Sequence, residues 1–212
     1  MAKEQLSVEE TVAMLDTVAD AIIVAEPELS EADRNLGDGD HGLGMKRGME
    51  AVKAKLAEGG FESVDKVFMA MGMAMMSSMG GASGAVFGTL FRNGGKAIKG
   101  SETFDAAGLA EFLKAGTEGV MSRGGAKPGD KTMVDALEPA RKAAELSVDK
   151  PLSEALDNTA QAAAEGRDAS KDVIATMGRA KTLGEASIGH PDAGACSVAI
   201  IFRTMATFAG AN

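Results

Sequence analysis

A chain of 212 residues that is 45% hydrophobic is long enough to bury a full core, and its one cysteine, Cys196, excludes an intrachain disulfide. A net charge of −9 without a dense basic run argues against nucleic acid and anionic membrane surfaces as partners. No apolar run approaches the length of a membrane span and no cleavable signal pattern opens the chain, so the expectation is a soluble cytoplasmic protein.

Aromatic residues are only 4%, with no Trp or Tyr, against 14 Met. Packing must rest on aliphatic and Met side chains, which suits helix on helix. Ser7-Val8-Glu9-Glu10 is a capping box. Val8, Val12, Leu15, Val18 and Ile22 follow at helical spacing, so a helix is expected over 7–26, closed by Pro27. Ser30 then starts a short turn leading to Asp33. Met45, Met49, Val52 and Leu56 mark a second helix from Gly44, ended by Gly59-Gly60. Val64, Val67, Phe68, Met71 and Met75 predict a third over 63–79, and a Met stripe of this kind reads as core.

Phe87, Leu90, Phe91 and Ile98 mark the next helix, and Leu109, Phe112, Leu113 and Val120 another over 105–121. One follows through Met133, Leu137 and Ala140. Residues 152–178 are Ala-rich and read as helical through Leu152, Leu156, Val173 and Ile174. A loop over about 180–194 precedes a last apolar helix through Val198, Ile201, Met205 and Phe208. Cys196 lies in that apolar run and reads as a buried small hydrophobe. β-branched Val198, Ile200 and Ile201 leave a strand open there, but length and spacing favour helix. The expectation is an all-α fold, an eight-helix antiparallel up-and-down bundle, forming one domain over 1–212.

Chemistry concentrates in the loops. Asp33, Asp38 and Asp40 put three carboxylates close together, interleaved with Gly37, Gly39 and Gly42 and followed by His41. Carboxylates crowded in a tight turn repel one another unless a cation sits among them. Oxygen ligands without cysteine favour Mg²⁺, Mn²⁺ or Ca²⁺ over zinc. An EF-hand fails, because the positions needing Gly and Glu are Leu43 and Met49 when counted from Asp38. The bland alternative is a set of turn dipeptides and a helix cap.

Gly80-Gly81-Ala82-Ser83-Gly84 opens a helix, where free N–H groups bind phosphate oxygens. Small residues there also permit a close helix crossing. Residues 124–132 imitate a Walker A loop, but an Asp precedes the Lys and the segment before it is helical, so that reading is rejected. Arg123 or Lys127 there could still meet phosphate. The loop 189–194 reads as a lid or a plain surface turn, preceded by Arg179. With His41 and His190 a Ser-His-Asp hydrolase is conceivable, though no nucleophile elbow supports it. A common rim for the four glycine loops is a hypothesis at this point.

Four motifs in order carry a family resemblance. They are Asp33-x4-Gly-Asp-Gly-Asp-His-Gly, Ser77-Ser78-x-Gly-Gly-Ala-Ser-Gly, Ala126-Lys127-Pro128-Gly-Asp-Lys-Thr-Met, and Gly178-Arg179-Ala180-x2-Leu-Gly-Glu-x-Ser-Ile-Gly-His. Together they resemble the L, or nucleotide-binding, subunit of dihydroxyacetone kinase over nearly the whole chain. The resemblance implies an eight-helix antiparallel barrel with ADP or ATP at one end. It implies that Asp33, Asp38 and Asp40 hold two Mg²⁺ on the nucleotide phosphates. It further implies that His41, Gly42, Leu43, Gly44, Ala82, Ser83, Gly124, Met133, Arg179, Asp192, Ala193 and Gly194 line the nucleotide. Arg179 is in addition the expected catalytic residue, neutralising charge as phosphate is transferred.

As partners the resemblance implies a separate K subunit that holds the sugar. In some members it also implies an M subunit of the phosphoenolpyruvate phosphotransferase system, which rephosphorylates bound ADP. A homodimer is compatible with it. Gly44 stands where many members have Asn, Lys181-Thr182 where Ser-Tyr is common, and Ala193 where Pro is common. These departures leave open the donor, ATP or the phosphotransferase system, and the ketose, dihydroxyacetone or a relative such as erythrulose. The rival from another class is a non-catalytic helical protein with a structural Ca²⁺ or Mg²⁺ loop.

Overall fold

Ser7 Oγ accepts from Glu10 N at 3.2 Å while Glu10 Oε2 accepts from Ser7 N at 2.9 Å, so the expected capping box closes and starts the first helix. The computed structural model describes residues 3–210. Its α-helices are α1 (Val8–Val24), α2 (Glu26–Arg34), α3 (His41–Ala57), α4 (Val64–Ser78), α5 (Gly81–Ala97), α6 (Ala106–Gly124), α7 (Val134–Glu145), α8 (Leu152–Ala169) and α9 (Ala193–Gly210).

Eight of these form a closed ring. α1 packs on α3, then each helix from α3 to α9 packs on the next, and α9 returns to α1. Short connections make ring neighbours antiparallel, so the N-termini of α3, α5, α7 and α9 share one end. The inward faces hold the expected Met and aliphatic core, including Met14, Met45, Met49, Met71 and Met75, all fully buried. Four phenylalanines add an aromatic knot. Phe68 lies 4.6 Å from Phe112 and 5.0 Å from Phe104 between ring centroids, and Phe91 lies 5.9 Å from Phe112. Cys196 is buried as expected, and burial pushes its thiol up to about 12. α9 is long and apolar enough to cross a membrane, but it is packed into the ring between α1 and α8.

Four features depart from the sequence reading. Pro27 does not close a segment. It sits in the first turn of α2, a ninth helix laid on α3 and α9, where its missing N–H costs nothing. Ser30 is therefore inside a helix rather than starting a turn. α3 begins at His41, three residues before the expected start at Gly44, so the acidic loop feeds directly into a helix N-terminus. α8 ends at Ala169. Residues Ser170–Asp172 form a 3₁₀ turn and Val173 is extended, so the helix expected to run to 178 stops about nine residues early. A short antiparallel ladder, β1 (Gln5–Leu6) with β2 (Phe104–Asp105), ties the N-terminal segment to the start of α6.

The stretch between α8 and α9 is a strap rather than an open loop. It carries a second 3₁₀ segment, Arg179–Ser187. Its base is clasped where Ala175 N donates to Ser187 Oγ at 3.0 Å and Gly189 N donates to the Lys171 carbonyl at 2.8 Å. Thr176 is held on Asp130, with Oγ1 donating to Oδ1 at 2.6 Å.

Candidate functional site

At the end of the ring where the four N-termini meet lies a cavity of about 520 Å³. Residues from all four glycine loops line it, which sequence spacing alone could not place. The first loop contributes Asp33, Asp38, Asp40, His41 and Gly44, and the second Gly80 to Ser83. Gly124 comes from the end of α6, Ala126 and Met133 from the α6–α7 connection, Arg179 from the strap, and Asp192 to Gly194 from the start of α9.

Asp33 is half-buried and Asp38 and Asp40 are exposed, and one carboxylate oxygen from each lies within 4.8 Å of the others. Three carboxylates at that separation form a cradle of hard oxygen donors suited to a divalent cation. Asp33 is held by its surroundings: Oδ2 accepts from the His41 N–H at 3.2 Å. Arg179 reaches from the strap and ion-pairs with Asp38, and its Nη2 lies 4.0 Å from Asp40 Oδ2.

Opposite the carboxylates are backbone donors. Neither α3 nor α5 has a side-chain hydrogen bond from its N-cap residue; the His41 N–H is taken by Asp33, which leaves the N–H groups of Gly42 and Leu43 on α3 and those of the first turn of α5 at the cavity end. Gly80 and Gly81 make this possible for α5, with φ of +73° and +60°, values that a side chain disfavours. Gly42 and Leu43 do not line the cavity. A Cβ on Gly42 would come within 2.3 Å of the Glu26 carbonyl on α2, and Leu43 points outward. Both belong to the first turn of α3, so only their N–H groups are available to a ligand.

The site contains residues that sequence reasoning passed over. Lys131, first read as part of a false P-loop, is the one non-glycine residue with positive φ, +60°, among the described residues. It is 1% exposed, and its ammonium donates to the carbonyls of Ser170 and Val173. Burial lowers its pKa, and nearby Asp192, Asp135 and Asp172 oppose that shift. Arg47 also lines the cavity and donates to the Met79 carbonyl at 3.3 Å, at the C-terminus of α4. Val86, Val120 and Met177 join Met133 and Ala126 as an apolar wall. No motif signals these, since each is one apolar residue on a helix face or strap.

Asp192 caps α9, with Oδ2 accepting from Ala195 N at 2.8 Å. Burial raises its carboxyl to about 7, with the negative charges of Asp135 and Asp33 adding to the shift and Lys131 opposing it. The cavity wall carries four carboxyl groups, Asp33, Asp38, Asp40 and Asp192, and three basic side chains, Arg47, Lys131 and Arg179. The N-termini of α3 and α5, which have no N-cap side-chain hydrogen bond, each add up to about half a positive charge at this end. The geometry also removes the hydrolase reading. His41 has Ser83 on one ring nitrogen and the fully buried Ser197 on the other, so no carboxylate backs it. His190 is absent from the cavity wall.

A closed helical barrel with a carboxylate cradle facing uncapped helix N-termini is a domain shaped to receive a cation and a polyanion together. The DAK2 domain profile matches residues 35–207. The chain belongs to the DAK2 domain family. It is 44% identical over 179 residues to the ADP-binding subunit DhaL of PEP-dependent dihydroxyacetone kinase 1 from Listeria innocua, covering 84% of each chain. It is 38% identical over 183 residues to the DhaL subunit of the PEP-dependent enzyme of Escherichia coli, covering 84% of this chain and 86% of that one. Against L-erythrulose 1-kinase of Mycolicibacterium smegmatis it is 34% identical over 200 residues, but spans only 34% of that protein. The fold matches the crystal structure of C. freundii dihydroxyacetone kinase in complex with AMP-PNP and Mg²⁺. The TM-score is 0.72 at 24% identity, over 93% of this chain and 33% of that one.

Proposed function

We propose that this chain is the nucleotide-binding, phosphoryl-donating subunit of a dihydroxyacetone kinase, acting on a ketose held by a separate K subunit. The observation that carries the reading is the convergence of Asp33, Asp38 and Asp40 with uncapped helix N-termini on one cavity of about 520 Å³, a size typical of small-molecule sites. Asp33, Asp38 and Asp40 would hold Mg²⁺, two ions in this reading, which supplies charge neutralisation on the phosphates. The N–H groups at Gly42 and Leu43, and those opening α5 at Ala82 and Ser83, bind phosphate oxygens. Gly44 and Gly194 leave room beside them. The wall of Gly124, Met133, Ala193 and neighbouring aliphatic residues takes the base, and Asp192 fixes the α9 terminus. His41 orients Ser83, and Arg179 meets the phosphate charge that develops during transfer.

His41 is not free to act as a base, because both of its ring nitrogens are engaged by serines. The acceptor hydroxyl is activated on the partner, and phosphoryl transfer asks this chain for positioning and neutralisation. Bound ADP is read as a phosphoryl carrier recharged by an M subunit of the phosphotransferase system, a reaction of the cytoplasm. Support comes from relatives named PEP- or PTS-dependent ADP-binding subunits, which the chain covers at 84–97% of their length. An ATP-exchanging ketose kinase subunit is the alternative donor reading, since the erythrulose kinases contain a homologous third. A purely structural metal loop does not call for a cavity beside it.

The test is reconstitution. The purified chain should not phosphorylate dihydroxyacetone alone, and turnover should appear on adding a cognate K subunit with ATP or with phosphotransferase proteins and phosphoenolpyruvate. Robust turnover by the lone chain would contradict the division of labour.

A further inference from the structure

His41 opens α3 with its ring 6% exposed, tilted against Phe87 at 6.0 Å between ring centroids. Its two nitrogens meet two hydroxyls from different helices. Nε2 lies 2.8 Å from Ser197 Oγ on α9, and Nδ1 lies 3.4 Å from Ser83 Oγ on α5. Ser197 is 0% exposed and sits in what reads as a plain apolar run. We propose that Ser197 is a positioning residue for the phosphate end of the cavity: it donates to His41 Nε2, holds the ring in the Nδ1–H tautomer, and so turns the Ser83 hydroxyl into a donor toward an anion.

A neutral imidazole has one donor and one acceptor nitrogen, and a serine hydroxyl has one proton to give. The Ser197 proton has two acceptors within reach, His41 Nε2 at 2.8 Å and the Ala193 carbonyl at 3.3 Å. That carbonyl already serves the Ser197 N–H in the α9 ladder. The imidazole nitrogen is both closer and more basic, so it takes the proton. Nδ1 then carries the ring hydrogen and donates toward Ser83 Oγ. With that lone pair occupied, the Ser83 proton is free to point into the cavity, whose wall Ser83 forms.

The opposite tautomer reverses the outcome. Nε2–H would point at Ser197 or at the Ala193 carbonyl, which also borders the ring. Ser83 would then donate to Nδ1 and show an anion only its lone pairs. Ser197 thus acts on the ligand through another residue, across three helix N-termini, without touching it. This inference rests on the nucleotide reading above for its effect on binding, but the tautomer itself does not.

The chain has two histidines, His41 and His190, so the experiment reads a simple spectrum. In ¹⁵N-histidine-labelled protein at about pH 8, above the ordinary histidine range, two-bond ¹H–¹⁵N correlations separate protonated from bare ring nitrogens. His41 should show Nδ1 protonated. Ser197→Ala should shift it toward the Nε2–H form and weaken Mg²⁺-ADP binding about tenfold, while Ser197→Thr should restore both. Retained helical circular dichroism in both variants separates this from misfolding. An Nε2–H tautomer in the wild type, or an unchanged tautomer in Ser197→Ala, would overturn the proposal. If the wild type itself bound no Mg²⁺-ADP, the nucleotide reading would fall, while the nitrogen correlations would still decide the tautomer.

Discussion

The guanidinium of Arg179 is ion-paired with the carboxylate of Asp38, so a residue of the strap is docked into the acidic cradle. Both side chains are substantially exposed, at 68% and 39%, and such pairs contribute little stability. The pair is therefore easily exchanged. A divalent cation held by the cradle would compete with Arg179 for Asp38 and would leave its guanidinium free to meet phosphate. Arg179→Ala should then leave Mg²⁺-ADP affinity within about tenfold of wild type and lower phosphoryl transfer about a hundredfold or more, as for loss of one donor that acts on developing charge. Calorimetry together with steady-state turnover in the reconstituted enzyme reads both. Equal loss in the two would mean that Arg179 serves ground-state binding only.

The strap itself divides at two glycines. Gly178 has φ +64° and Gly184 φ +55°, and they bracket the piece that carries Arg179. Outside them the strap is tied down by Ala175 to Ser187, by Thr176 to Asp130, and by the Lys131 ammonium on Ser170 and Val173. Amide hydrogen exchange should therefore show Mg²⁺-ADP slowing residues 178–184 strongly and residues 185–192 little. Uniform protection across the whole strap in both states would make it a structural loop. Lys131→Met, which leaves two carbonyls unpaired, should loosen the entire strap.

Asp192 gives the fold a pH dependence of known sign. Its folded pKa of about 7 lies above the ordinary value of 3.8, so the native state favours the protonated carboxyl. That contribution is fully present below about pH 4 and is lost as pH rises through about 7. Asp192→Asn keeps an oxygen for the α9 cap and removes the charge. Relative to wild type it should gain thermal stability between pH 5 and 8. A few kcal/mol is at stake, roughly 5–10 °C in a chain of this size. A constant melting difference across that range would show that burial does not raise this carboxyl.

Local signals in the sequence were reliable where a helix is decided locally. The Ser7–Glu10 capping box and the Val64–Met75 stripe lie where expected. Pro27 misled because proline stops a helix from within yet suits its first turn, and nothing local separates the two at Ala25. The end of α8 was misjudged because Val173 and Ile174 continue an apolar spacing. The turn that follows the helix is held from a distance: Lys131, 39 residues back in sequence, takes the Ser170 carbonyl. The acidic cradle was legible as a cluster, since its residues are close in sequence. Lys131, Arg47 and Ser197 were not, because their roles come from helices brought together only by ring closure.

The most direct measurement is calorimetric titration of Mg²⁺-ADP into the wild-type chain and into Asp38→Asn. Without Trp or Tyr the chain barely absorbs at 280 nm, so nucleotide carried through purification is also visible in the absorbance ratio. The wild type should bind Mg²⁺-ADP, and Asp38→Asn should lose at least about a hundredfold in affinity, the scale of a broken charge-assisted contact at roughly 3 kcal/mol, with helical circular dichroism unchanged. Equal Mg²⁺-ADP affinity in the two proteins would contradict a metal–nucleotide site built on Asp33, Asp38 and Asp40.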